Sequence, residues 1–159
     1  MRWLFGPVTL SAALPLRARE LLVSYYRHYY GDLSQCVQAK APFALSSAAR
    51  LEAERLFDGH DREGDFLRLR EQLEGMGVSV PVLYKQYCEV AEVGAVHFMD
   101  FGVDADFGYC LDGLVVVDVS RLKPEKRRRY LQEKPHTEAG EMTTIPESGV
   151  TPAQPQPLT

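Results

Sequence analysis

Four tyrosines, Tyr25, Tyr26, Tyr29 and Tyr30, fall inside the stretch "SYYRHYY". A phenol with a pKa near ~10 can donate a proton to a strongly basic leaving group. Aromatic residues at i, i+4 spacing are equally what the buried face of a helix looks like. Asp104 and Asp106 stand two apart in "DADFG", with Phe107 next and Asp112 shortly after. Two neighbouring carboxylates can bind a cationic amine or accept its proton, or can cap turns through their own backbone. Lys85 in "YKQY" offers a point charge for a phosphate, or is an exposed lysine on an amphipathic helix. "DADFG" supplies too few alternating oxygens for calcium, so no metal is expected. Cys36, Cys88 and Cys110 are odd in number and widely spaced, with no CxxC. They read as free thiols in a reducing compartment, hence a cytoplasmic protein.

The elements that must carry these residues follow from period and punctuation. The chain has 159 residues, 45% of them hydrophobic and 25% charged, and a net charge of −4. That fits one globular domain and gives no footing for nucleic-acid binding. "RWLFGPVTL" reads as a strand, with Pro7 marking an edge, a bulge or an end. Gly6-Pro7 breaks the apolar run that a secretion signal needs, and "RARE" follows without a small-x-small site. Pro15 suits the first turn of a helix that places Leu21, Leu22, Tyr25, Tyr26 and Tyr29 on its inner side and stops at Gly31. Three more helices follow, over "SSAARLEAERLFDGH", "REGDFLRLREQLEGMG" (ending at Gly75 or Gly77) and "VPVLYKQYCEVAEVG". "AVHFMDFGV" alternates, with a slip before Phe101. "DGLVVVDVS" is a continuous β-branched run, expected to be covered on both faces. "DADFGYCLDG" is expected to be the loop between them, and "RLKPEKRRRYLQE" a last helix.

Charge is segregated. Val93 to Ser120 holds five aspartates and no Lys or Arg, whereas Arg121 to Lys134 holds seven basic residues. From Pro135 the composition shifts to half of the chain's ten prolines with no Lys or Arg. Residues 135–159 are therefore expected to be a disordered tail, and residues 1–134 the folded unit.

"RWLFGPVTLS", "LLVSYYRHYYGD", "GVSVPVLYKQYCEV", "FMDFGVDADFGYCLDGLVVVDV" and "RLKPEKRRRYL", in that order, resemble the C-terminal part of the hemolysin-like bacterial acyltransferases. That family is similar to the ornithine-lipid synthases and falls in the GNAT superfamily. The resemblance spans about residues 1–131. It implies an α/β, partial GNAT-like fold, with the first segment as the fifth strand and the last two strand-like runs as the final strands. Strands one to four would then lie outside this chain. With them would go the Arg/Gln-x-x-Gly-x-Gly loop that holds donor phosphates, and no loop of that kind is expected anywhere in this chain. Relatives transfer a fatty acyl group from an acyl carrier protein or coenzyme A thioester to an amine or lipid acceptor, with the thioester arm between the fourth and fifth strands. On that likeness Tyr25 would protonate the departing thiolate. Lys85 would hold a carrier phosphate or lipid head group, and Asp104, Asp106 and Phe107 would receive the acceptor. Lys126, Arg127, Arg128 and Arg129 would dock acidic carrier protein or an anionic membrane surface. The alternative expectation is a non-enzymatic module, associating with a second copy or an N-terminal partner through its first strand.

Overall fold

The computed structural model describes residues 2–131 apart from Leu33 and Gln35, so the expected tail at 135–159 lies outside the described residues. The order is strand β1 (Trp3–Leu10), helices α1 (Leu16–Tyr30), α2 (Ser47–Leu56), α3 (Arg62–Glu74) and α4 (Val82–Val90), strands β2 (Val96–Asp104) and β3 (Cys110–Asp118), and helix α5 (Pro124–Leu131). This is the mixed α/β class expected, with Pro15, Pro81 and Pro124 each at a helix start. A 3-10 turn, Val119–Arg121, links β3 to α5.

The three strands form one antiparallel sheet in the order β1-β3-β2. The slip before Phe101 is real: the register between β2 and β3 shifts between Phe98 and Phe101. Phe98 and Phe101 thereby reach the same face and stack at 5.6 Å, over Gly113 of β3. A Cβ on Gly113 would lie 2.9 Å from the Phe101 ring. Only a residue without a side chain admits both rings there.

One face of this sheet is covered. Val8, Leu10, Val96, Phe98, Phe101, Leu111, Val115 and Val117 are buried beneath α1 and α4. Tyr26 of α1 and Tyr84 of α4 meet Phe98 at 4.9 and 5.3 Å, and the Tyr84 hydroxyl donates to the Val8 carbonyl at 3.0 Å. The opposite face is open: Phe5 is 72% exposed and Trp3 45%, with Leu114 and Val116 only partly covered. The expectation that β3 is covered on both faces is therefore wrong. Its burial alternates along the strand, because helices lie on one side only. The loop between β2 and β3 is also shorter than expected. Asp104 and Cys110 to Gly113 belong to the ladder, leaving 105–109 as the turn, where Gly108 and Tyr109 take positive φ.

The two sheet edges differ. The outer edge of β2 is capped, with Phe43 donating its N–H to the Phe101 carbonyl and Val103 donating to the Ala41 carbonyl, both at 2.8 Å. The outer edge of β1 has no strand beside it among the described residues. The Val119 N–H donates to the Arg2 carbonyl, which fixes the phase of the β1–β3 ladder. Leu4, Gly6, Val8 and Leu10 turn their backbone groups toward β3, and Trp3, Phe5, Pro7 and Thr9 turn theirs outward. Pro7 thus spends its missing N–H on the free edge, as the sequence required of an edge strand.

Candidate functional site

Two clefts bring candidate residues together. The first, about 380 Å³, lies between α1, the first turn of α3, and α4. Tyr25 and Lys85 both line it. The helical period of α1 points Tyr25 toward α2 and α3, where its ring packs against Phe57, at the end of α2, and Phe66 of α3 at 5.5 and 5.7 Å. Its hydroxyl donates to the Arg62 carbonyl at 3.1 Å. Burial above all raises the Tyr25 pKa, with Arg62 opposing. The phenol thus stays protonated at neutral pH and is aimed at α3. Lys85 is exposed and lies 3.8 Å from Glu89, one turn on. Cys88, on the same helix, is pushed up to about 12 by burial, so it is a neutral thiol and a poor nucleophile.

The second cleft, about 570 Å³, lies on the open side of the sheet between β2, the start of β3 and the loop around Ala39. Asp104, Asp106, Asp112 and Asp100 line it, against one lysine, Lys40. Each carboxylate has a different occupation. Asp104 accepts the N–H groups of Asp106 and Phe107 at 2.9 and 3.0 Å, so it builds the turn. Asp112 accepts from the Thr9 hydroxyl of β1. Asp100 takes the Ala39 N–H at 2.7 Å and pairs with Arg27 at 3.2 Å. Burial works to raise the Asp100 carboxyl, but the N–H groups of Ala39 and Phe101 and the Arg27 guanidinium outweigh it and hold the carboxyl below its ordinary range. Asp106 alone is exposed with no hydrogen bond of its own carboxylate among the described residues.

The structure therefore unites Asp104 with Asp106, and Tyr25 with Lys85, in separate clefts. Phe107 is 67% exposed at the tip of the turn and lines neither cleft. The basic run lies on α5, where Arg127, Arg128 and Arg129 are exposed. Sequence reasoning missed Arg62 and Lys123 in the first cleft and Asp100 in the second, because only the packing of distant segments gathers them. Among the described residues no three or more His, Cys, Asp or Glu side chains are placed so that they could hold one metal ion, and no helix is long and apolar enough to cross a membrane.

The expectation that no such lettering as that of the phosphate loop occurs is wrong: Gln72, Gly75 and Gly77 stand in Gln-x-x-Gly-x-Gly spacing. It is the end of α3, not the start of a helix. Gly77, at φ 70°, donates to the Glu74 carbonyl, and Val78 to the Leu73 carbonyl, both at 2.9 Å. These two bonds are a Schellman cap. Its N–H groups are consumed by the helix that precedes them, and none is left to cradle a phosphate.

Fold and clefts together define a mixed α/β protein whose sheet has one open face, one open edge at β1, and a carboxylate-lined cleft on the open face. The chain is similar to a glycine N(alpha)-acyltransferase of Bacteroides thetaiotaomicron, with 21% identity over 154 residues. That alignment takes in 96% of this chain and 45% of the relative, so the chain spans less than half the length of the curated relative it matches. The likeness supports a distant relationship to an acyltransferase. No protein-family model matches the chain, and no solved structure does.

Proposed function

We propose that this chain forms part of an acyl-transfer site, of the hemolysin-like and ornithine-lipid-synthase-like kind, that moves a fatty acyl group from a carrier-protein or coenzyme A thioester to an amine. The observation that carries the reading is the alignment of nearly the whole chain with an N-acyltransferase. The geometry adds two supports. Pro7 stands on the unpaired edge of β1 and also lines the acidic cleft, and Thr9 of the same strand donates to Asp112, so a thioester arm along that edge meets the cleft at Asp112, across β3 from Asp104. A cleft with four carboxylates and one lysine favours a cationic acceptor, and the relative's name makes the amino group of glycine the first to try.

In the reaction the amine nitrogen attacks the thioester carbonyl. The C–N bond forms, the C–S bond breaks, and the amine's proton is lost as the thiolate gains one. Asp106, the carboxylate without an internal partner, is the candidate to bind the ammonium and take its proton. Tyr25, the donor that the resemblance implied, lines the other cleft on the helical side with its hydroxyl on the Arg62 carbonyl, so in this arrangement solvent supplies the thiolate's proton. Exposed Arg127, Arg128 and Arg129 on α5, with Lys126, suit an acidic carrier protein or an anionic membrane surface. The test is to incubate the protein with a tetradecanoyl carrier-protein thioester and glycine, and to follow N-acylglycine by mass spectrometry. Product should form, with an Asp106→Asn protein needing about tenfold more glycine. Release of free thiol without any N-acylglycine would overturn the reading.

A second reading has an observation of its own. Phe5, 72% exposed on the unpaired edge strand, is a template for strand addition by another copy of this chain. Light scattering at increasing concentration separates the two. A dimer lost on Phe5→Lys favours association, and a monomer throughout excludes it.

A further inference from the structure

The cleft between α1, α3 and α4 has features that the acyl-transfer reading does not use. Tyr26 lines it and is 1% exposed, yet its hydroxyl has no hydrogen-bond partner among the described residues. A buried hydroxyl left without a partner costs about 1–3 kcal/mol, so it needs an explanation. Around the mouth, three separate elements each contribute a cation: Arg62 from α3, Lys85 from α4 and Lys123 from the segment before α5. Lys123 is held there by its own backbone, whose N–H donates to the Val90 carbonyl at 3.1 Å. It makes no ion pair among the described residues. Two glutamates, Glu63 and Glu89, leave the rim net positive. Inside, the lining is aromatic: Tyr25, Tyr30 and Phe66. At about 380 Å³ the space lies within the range of small-molecule sites.

We infer that this cleft binds an apolar carboxylate, its hydrocarbon part against the tyrosines and Phe66, and its anionic end between Arg62 and Lys123 with the Tyr26 hydroxyl donating to it. The class has two sources, a free fatty acid and an N-acyl amino acid, which share a hydrocarbon chain and a terminal carboxylate. The site lies on the helical side of the molecule, away from the open face and edge of the sheet, and its occupancy needs no thioester and no turnover.

Calorimetric titration with dodecanoate, N-dodecanoylglycine and the methyl ester of the latter tests the assignment without any acyl transfer. Both carboxylates should bind, the ester about tenfold more weakly, and the tighter of the two carboxylates identifies the source. Tyr26→Phe should weaken the carboxylates about tenfold while leaving the thermal midpoint of the free protein unchanged or higher, because it deletes a hydroxyl with no partner. Lys123→Gln, at a partly exposed side chain, should weaken the carboxylates and leave the ester unaffected. Equal binding of ester and carboxylate, undiminished binding by Tyr26→Phe, or no binding of either carboxylate would each overturn the proposal. A failed transfer assay alone would leave it standing.

Discussion

The hydroxyl of Tyr25 and the carboxylate of Asp65 show how far residue type misleads about role. The sequence sets Tyr25 apart from the other three tyrosines only through the resemblance, yet each has a separate duty. Tyr25 is bonded to the Arg62 carbonyl, Tyr29 donates to Asp65, Tyr26 has no partner, and Tyr30 lies beneath the Arg62 guanidinium. The helical period shows that they share a face, and it carries no information about which partner α3 brings to each. Asp65 drew no notice in the sequence, being one acidic residue on a helix rich in them. Its side chain is fully buried, and it accepts from Tyr29, from the Gly59 N–H at 3.3 Å and from Arg68, tying α1, α3 and the loop between α2 and α3 together. Asp65→Ala removes the acceptor and leaves those donors without one. It should lower stability by about 2–3 kcal/mol, measured by urea unfolding. A loss below a few tenths would mean that the carboxylate is not the junction described.

At the scale of elements, most of what folds was legible, because its signals are local. Serine before α2, prolines opening three helices, Gly31 closing α1 and the Gly77 cap of α3 all act within a turn of themselves. The bulge at Phe98–Phe101 was legible too, as a slip in alternation. The covering of β3 was not. A run of Leu114 to Val117 satisfies both a one-sided and a two-sided strand, and only the placement of the helices decides. Residues 34–45 read as a loop with Pro42-Phe43 as its anchor, and Phe43 does pin it to Phe101, but a loop without periodicity gave no sign of a second tie at Ala39. It is anchored by Asp100, whose carboxylate holds the Ala39 N–H and the Arg27 guanidinium together. The folded-state pKa of Asp100 is depressed, so the unfolded chain, with a carboxyl near ~3.9, takes up the proton first. Its contribution to stability is whole above about pH 5 and is lost as pH falls through the folded value. Asp100→Asn should therefore lower the thermal midpoint at pH 7 and flatten its fall between pH 5 and pH 3. A mutant whose midpoint falls with pH as steeply as the native protein's would contradict that role.

At the scale of the whole molecule, the two faces of the sheet divide the labour. Helices, the aromatic core and the cation-rimmed cleft lie on one side. The open apolar face, the unpaired edge of β1 and the carboxylate-lined cleft lie on the other. Composition showed the segregation of charge along the chain, with aspartates before Ser120 and basic residues after. It did not show that four of the five aspartates, Asp100, Asp104, Asp106 and Asp112, line one cleft across the sheet, since that requires the β1-β3-β2 order and the Thr9 to Asp112 contact across it. The central claim is that a thioester arm runs along the outer edge of β1, with an amine in the acidic cleft at its end. The measurement that bears on it most directly is a backbone-amide NMR titration of the labelled protein with tetradecanoyl-pantetheine, followed by glycine. The account predicts that the outward N–H groups of Trp3, Phe5 and Thr9 shift with the thioester while those of Leu4, Gly6 and Val8 move little, and that glycine then shifts Asp106 and Phe107. Shifts confined to the helical side, or none along β1 at saturating thioester, would contradict it.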